Sequence, residues 1–468
     1  MKTERFIKIS FIILFLFGIV ARTYIYLKNQ ALWVDESMLA INFLILPYKG
    51  LLKGLEYMQA SPAGFNLINK FLLDSFKTNN MFLRDLELRF IPYLSSILSL
   101  PAFLVLLKLI FNEKKKILFG FSLLAINPLA ILYAGQCKQY STELLITILL
   151  MIVFCKIQKE VKWYYFVIIP LSIWFSYSAF FIVAAGFLAL LISKKYREFF
   201  YLLIPFLLSF AIYYLISLKS VFAVNYLGMD AFWSRSFAFM EFNHPTRLFI
   251  RFGELFVRIK PLAIIAGIVA CFSLIKFVTN KNNSIALKTL VFAPAFMTVL
   301  ASFIHEYPIY ARLILFLLPL FIIAITDLQG KISLSLKSII VIISCFALTN
   351  YTIHAKEMSY SYARDIVPYV LENIKPNDVI IIDTKPEYDL YLINQKLKNS
   401  VIVYDAQCIK KNVDICRDYI NSLPSGSYYY LSGSYYVKDF IDNKNFEIKD
   451  LNIKHKKRLT KAIYFVKP

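Results

Sequence analysis

The chain has 468 residues, 59% of them hydrophobic and 18% charged, with a mean hydropathy of +0.60. That is more apolar surface than a water-soluble domain can bury, so the composition excludes an ordinary soluble enzyme and calls for lipid as solvent. The formal net charge of +22 does not indicate a nucleic-acid partner, because most Lys and Arg lie in short clusters at the ends of apolar runs, where they set membrane topology.

Taken in chain order, residues 1 to 21 have a basic start and an apolar core, as a secretory signal does. The segment Ile19-Val20-Ala21-Arg22 is a poor small-x-small cleavage site, so it reads as an uncleaved first helix. A spanning helix needs roughly 20 mostly apolar residues. Hydropathy predicts helices near residues 6–25, 90–111, 117–134, 141–156, 163–179, 180–193, 199–218, 261–278, 287–304, 312–327 and 334–351, about eleven in all. The turn between the fifth and sixth is abrupt. The basic clusters Lys114-Lys115-Lys116, Lys156 with Lys159 and Lys162, Lys194-Lys195 with Arg197, and Lys276 with Lys281 fall in alternate connections. They place those connections and the N-terminus in the cytoplasm and the C-terminus outside the cytoplasmic membrane.

Two long connections are then external, about residues 26–89 and 219–260. The first includes amphipathic pieces suited to the membrane surface. The predicted organisation is an α-helical polytopic membrane domain over residues 1–351 and a small extracytoplasmic α/β domain over 352–468. The latter is read from short β-rich runs at Val379–Asp383, Val401–Tyr404 and Tyr428–Leu431, with a helical pattern over Lys411–Ser422. It has no G-x-G-x-x-G or P-loop, so no nucleotide chemistry is assigned. The absence of an internal repeat counts against an inverted-repeat transporter. Six cysteines include no C-x-x-C pair; Cys408 and Cys416 lie in the tail, where a disulfide and free thiols are both open.

Asp35 and Glu36 follow the first helix beside Trp33, at the outer membrane boundary. Adjacent carboxylates there are costly unless solvated, paired or functional. A carboxylate so placed can take the proton of an attacking hydroxyl; the plainer alternative is that Asp35 is the N-cap of a helix over Ser37–Leu46. On the same outer face, Gln136, Lys138 and Tyr140 lie in a polar break between the third and fourth helices. Lys138 could pair with a lipid phosphate and Tyr140 could hydrogen-bond it, or the segment could be a solvated hairpin. Arg89, opening the second helix, and Arg312, opening the tenth, are external cations that positive-inside statistics disfavour. Each suits an anionic head group, with an ion pair to Asp85, Glu87 or Glu306 as the alternative. His305 with Glu306 lacks the spaced partners of a metal site. The basic run Lys454–Arg458 suits a solvated strand end better than a lipid contact.

Leu32-Trp33-x-Asp35-Glu36, Gln59-x-Ser61-Pro62, Leu88-Arg89-Phe90-Ile91-Pro92, Asn127-Pro128 and Tyr133-x-x-Gln136-x-Lys138-x-Tyr140-Ser141 together make a pattern. It resembles the GT-C membrane glycosyltransferases, specifically the protein mannosyltransferase and aminoarabinose transferase-like group. The resemblance is carried by the first ~145 residues. It implies an inverting glycosyltransferase with a polyprenyl-phosphate sugar donor, Asp35 as general base, and Glu36 orienting Asp35 or the acceptor. The chain departs from the pattern at Gln136, where Glu is usual, at Glu143, where Asp is usual, and at Ser61-Pro62, where Pro-Pro is usual. The Asp35-Glu36 pair could hold a divalent cation only with ligands from elsewhere. Membrane lipids are further expected partners, and the acceptor is left open. Two other classes fit part of the pattern: a flippase or transporter of lipid-linked saccharides, which needs charges along an inner passage, and an inactive scaffold.

Overall fold

The computed structural model describes residues 2–222, 233–237, 245–329, 331–354, 363–376, 378–382, 385–393, 401–404, 425–431, 447–450 and 462–467. Cys408, Cys416, Lys411–Ser422 and Lys454–Arg458 lie outside them. The chain forms two compact units. One comprises Met1–Lys28, Leu46–Phe76 and Leu86–Lys356; the other comprises Asn29–Ile45, Lys77–Asp85 and Glu357–Pro468.

The first unit is built from apolar helices. Its first is α1 (Lys2–Lys28), whose 27 residues extend about 40 Å. There follow α2 (Val34–Ile45), α3 (Ala63–Phe76), α4 (Met81–Ile110), α5 (Lys114–Ala125), α6 (Pro128–Leu132), α7 (Tyr140–Ile157), α8 (Tyr165–Phe175), α9 (Ala179–Ile192), α10 (Tyr196–Tyr213), α11 (Pro245–Gly253), α12 (Lys260–Thr279), α13 (Ile285–Phe303), α14 (Leu318–Asp327) and α15 (Lys331–His354). Of these α2 and the start of α4, Met81 to Asp85, belong to the other unit.

Each predicted apolar segment is helical, but not all are full spans. Among the described residues six helices are long and apolar enough to cross a membrane, or seven if the bent pair α5 and α6 counts as one. Four apolar helices are shorter: Tyr165–Phe175, Ala179–Ile192, Leu315–Asp327 and Ser333–Thr349. The short pair α8 and α9 is joined by Ser176-Tyr177-Ser178, where Ser176 Oγ accepts the Ala179 N–H at 3.1 Å and so closes the abrupt turn.

Sequence dictates the bend between α5 and α6, which is 49°. Pro128 has no N–H to continue α5, and Asn127 instead caps α6, its Oδ1 accepting from Ala130 N at 2.9 Å. The break leaves Leu124 O with only a long bond from the Asn127 N–H, 3.4 Å, and Ala125 O short of a helical donor, and Arg22 reaches both from α1. Its Nη2 donates to Leu124 O at 3.0 Å and its Nη1 to Ala125 O at 3.1 Å. Nη1 also reaches Gly18 O, and Nε reaches Ser96 Oγ, both at 3.0 Å. Ser96 Oγ in turn donates to Ala130 O at 3.2 Å. A fully buried cation is thus set against the negative end of a helix.

Several of the basic connections are tied to other parts of the chain. Lys114 meets Glu4 at 2.6 Å. The buried Asp327 accepts from Asn280 at 2.9 Å and Asn283 at 2.8 Å and lies 4.0 Å from Lys116. Lys195 donates to Gln158 O at 2.6 Å. Close approach of α11 and α12 requires glycine on both, since a Cβ at Gly253 or Gly267 would collide with the Ala263 or Phe249 carbonyl.

In the second unit α16 (Ala363–Asn373) and α17 (Lys385–Leu392) accompany a five-stranded sheet of order β2-β1-β3-β5-β4. The strands are β1 (Val379–Ile382), β2 (Val401–Tyr404), β3 (Gly426–Leu431), β4 (Glu447–Asp450) and β5 (Ala462–Lys467). β1 is parallel to β2 and β3, whereas β5 is antiparallel to β3 and β4.

Replacing Arg22 by Leu removes the donor to Ala125 O and leaves Leu124 O only its long bond from the Asn127 N–H; an unmet buried carbonyl costs about 1–3 kcal/mol. Thermal unfolding in detergent is expected to show a loss of about that size, partly restored in Arg22→Lys.

Candidate active site

The loop Gln59-Ala60-Ser61-Pro62 is held residue by residue. Lys138 Nζ donates to Gln59 Oε1 at 2.7 Å, and Gln139 Nε2 donates to Ala60 O at 3.3 Å. Ser61 O accepts from Tyr177 OH at 2.9 Å and from Asn66 Nδ2 at 3.2 Å. The Ala63 N–H, at the start of α3, donates to Tyr213 OH at 3.3 Å. The two motifs seen in sequence, around Gln59 and around Lys138, therefore meet. Just before Gln59 the backbone is in the left-handed region at Tyr57 (φ 59°) and Met58 (φ 51°). Such strain costs about 1–3 kcal/mol per non-glycine residue and collects at functional sites.

Lys138 is 4% exposed, so the solvated-hairpin alternative is overturned: the amine is buried against the Gln59 loop. Tyr140 opens α7, also buried, with its ring edge-on to Tyr133 at 5.0 Å. Around the same loop, Ser61 Oγ, Asn66 Oδ1, Gln136 Oε1, Gln139 Oε1 and Ser141 Oγ are buried and have no hydrogen-bond partner among the described residues. Buried polar atoms of this kind are uncommon and call for a water or ligand. Glu143, one turn into α7, accepts the backbone N–H of Tyr177.

Arg89 does not open its helix. α4 begins at Met81, because Asn80 caps it with Oδ1 accepting from Phe82 and Leu83 N–H, and Arg89 is buried two turns inside. Asp85, one turn before Arg89 on the same helix, pairs with Arg364 at 2.8 Å. Arg312 likewise precedes its helix, in the turn before Leu315–Leu317. Tyr307 OH fixes that turn by donating to Leu313 O at 2.8 Å. The Arg312 guanidinium lies over Trp233 at 5.3 Å and over Tyr310 at 5.5 Å, and Arg251 covers Tyr310 at 5.1 Å. His305 stacks on Phe237 at 4.8 Å. Nearby, burial holds the Glu254 carboxyl above its ordinary range against the opposing pull of Arg251, 3.4 Å away.

Asp35 and Glu36 lie in the second unit. Asp35 is not the N-cap: α2 starts at Val34, Ser37 N–H bonds Trp33 O at 2.9 Å, and both carboxylates sit in the first turn, where the helix dipole favours negative charge. Glu36 is 1% exposed while Asp35 is half-buried. Trp33 Nε1, beside them, is buried without a partner among the described residues. Sequence reasoning missed Arg22, Tyr177 and Tyr213. An Arg in the first apolar run and a Tyr inside a two-serine turn were visible, but their partners are remote in sequence.

No protein-family model matches the sequence, and no curated protein is similar to it in sequence. Solved structures are similar. The apo oligosaccharyltransferase of Archaeoglobus fulgidus matches with 9% identity and a TM-score of 0.53, over 90% of this chain and 69% of that one. Its complex with zinc and sulfate matches with 12% identity and a TM-score of 0.50, over 89% and 67%. ArnT of Cupriavidus metallidurans bound to undecaprenyl phosphate aligns over 97% of both chains with 12% identity and a TM-score of 0.47. The fold is that of the archaeal oligosaccharyltransferase structures, and the sequence pattern leads to the same GT-C type of fold. The chain is a polytopic membrane protein of that architecture.

Tyr213→Phe removes the acceptor of the Ala63 N–H and is expected to cost about 1–2 kcal/mol in thermal unfolding. Tyr177→Phe leaves Asn66 donating to Ser61 O and should cost less.

The Glu254 carboxyl sits above its usual 4.5, so the folded state binds that proton more tightly than the unfolded one. Its stabilisation is present below pH 4.5 and is lost as pH rises through the raised value. Unfolding measured from acid to neutral pH should show wild type losing stability relative to Glu254→Gln.

Proposed function

We propose that the protein transfers a sugar, with inversion, from a polyprenyl-phosphate donor to an acceptor hydroxyl at the outer face of the cytoplasmic membrane. The N-terminus is then cytoplasmic and the residues after 351 external. The observation that carries this reading is the Lys138 junction: a buried ammonium fixed on Gln59, among orphaned amide and hydroxyl oxygens, within a GT-C fold. An ammonium at this junction suits the donor's phosphate, to which it can make charge-assisted hydrogen bonds. Orphaned acceptor oxygens suit the hydroxyl donors of a sugar.

In the reaction, Asp35 takes the acceptor's proton as its oxygen forms a bond to the anomeric carbon. The bond from that carbon to the phosphate oxygen breaks, and the polyprenyl phosphate leaves with the electron pair. Glu36 orients Asp35 or the acceptor. Lys138, Arg89 and Arg312 are assigned to the phosphate, with Tyr140 and Gln136 as hydrogen-bonding side chains; charge developing on the leaving phosphate is what preorganised cations stabilise. Zinc is bound to the archaeal oligosaccharyltransferase. Among the described residues of this chain no three His, Cys, Asp or Glu side chains gather, and Asp35 with Glu36 would need ligands from elsewhere to hold a divalent cation.

The test is sugar transfer by purified protein supplied with polyprenyl-phosphate sugars. Asp35→Asn should lower kcat by about 10²–10⁴-fold, the usual span of base catalysis, with an unchanged unfolding temperature. Full activity in that variant would remove Asp35 from the mechanism, and lipid translocation without transfer would replace the enzyme by a flippase.

A further inference from the structure

Within the second unit, three side chains from distant parts of the chain converge on the backbone just ahead of α2. The Asp85 carboxylate, fully buried, accepts from Arg364 Nη1 at 2.8 Å and from Tyr391 OH at 2.8 Å. The same Tyr391 hydroxyl accepts the Leu32 N–H at 3.0 Å. Arg364 Nη2 donates to Asn29 O at 2.7 Å. The rings and side chains around them tighten the arrangement: Arg364 covers the Phe82 ring at 5.0 Å, Arg84 covers Tyr391 at 5.7 Å, and Asn29 Nδ2 donates to Phe82 O at 2.7 Å. Asn29 itself is in the left-handed region, with φ 41°.

The consequence falls on the peptide that launches the helix. Leu32 is held on its N–H by Tyr391 and on its C=O by Ser37 Oγ, at 3.2 Å. Ser37 N–H closes the first turn on Trp33 O. Asp35 lies inside that turn, so its backbone is fixed at both ends. Neither Arg364 nor Tyr391 lies in the 145 residues that carried the family pattern, and none of the three touches the reacting atoms in the proposed transfer.

We propose that Asp85, Arg364 and Tyr391 are positioning residues for Asp35, so that the segment after residue 357 completes the catalytic turn. This rests on the reading of Asp35 as general base. A charged guanidinium and a hydroxyl meeting one buried carboxylate are directional, charge-assisted bonds, suited to holding a base within the sub-ångström tolerance that proton abstraction requires. Removing the C-terminal segment would therefore disable the base.

The test uses full-length protein and Tyr391→Phe, which keeps the buried ring and deletes only the bridging hydroxyl. Arg364→Lys is the second variant, because it keeps the charge and loses the fork. Amide hydrogen exchange of residues 29–37 should quicken by roughly 5–10-fold, the worth of one such bond, with residues 59–66 and 138–157 unaffected. Transfer should fall by about 10²-fold in kcat, the scale of a small misplacement of a catalytic group, with the donor KM unchanged. In an Asp35→Asn background Tyr391→Phe should lower the residual rate no further. Unchanged exchange at 29–37, or an additional loss in the Asp35→Asn background, overturns the proposal. If wild-type protein moves no sugar from any donor, the glycosyltransferase reading fails, and the exchange measurement still decides the clamp.

Discussion

In hydrocarbon no water is available to satisfy a backbone group that the fold leaves open, so a spanning helix can be interrupted only where the protein supplies the missing partners. The break between α5 and α6 is such an interruption, and Arg22 is what permits it. One guanidinium presents five donors in a fixed fork. It closes the two last carbonyls of α5, its own helix at Gly18, and Ser96, which passes the link on to Ala130 in α6. Lysine would offer one flexible ammonium in place of this planar array.

The polar loop beyond the break depends on it. α6 runs directly into the short turn Tyr133–Gly135 and then into Gln136, Lys138 and Tyr140. Gly135 has no room for a Cβ, which would fall 3.0 Å from the Ile25 carbonyl, one turn beyond Arg22 on α1. The first helix thus sets both the bend and the loop that the bend presents. That loop in turn grips Gln59 and Ala60, while Tyr177 and Tyr213 grip the next residues. A functional loop is better placed by several unrelated helices than by its own conformational preference, which here is opposed by two left-handed residues.

The sequence displays periodicity and chemistry well, and pairing poorly. Apolar runs predict the helices, and Gln59, Asp35 and Lys138 stand out as polar groups in apolar surroundings. Length is misjudged where two short helices share one hydrophobic stretch, as at α8 and α9, and helix starts are misjudged where capping outweighs hydropathy. Asn80 extends α4 beyond its apolar part, and Trp33 rather than Asp35 opens α2. Lys138 is legible as a cation near an outer boundary, but its burial depends on Gln59, 79 residues earlier, and no single-sequence pattern reports that separation. Arg22 shows in the sequence only as part of an unfavourable cleavage site.

Asp85 illustrates the same limit and leads further. Nearby Arg89, four residues on, is the natural partner by helical spacing. The structure gives Asp85 to Arg364, 279 residues away, because the three stretches of chain that meet there each bring a polar group to be satisfied: Asn29 O, Leu32 N–H and the buried carboxylate itself. Burying a carboxylate is tolerable only when donors replace the water it loses, and Arg364 and Tyr391 supply them while also reaching Asn29 O and the Leu32 N–H. The long-range choice therefore follows from the polar groups around the start of α2. It explains why an α/β segment at the far end of the chain should be folded together with a short helix from the first outer loop: the acidic turn on that helix acquires a fixed geometry that neither segment could give it alone.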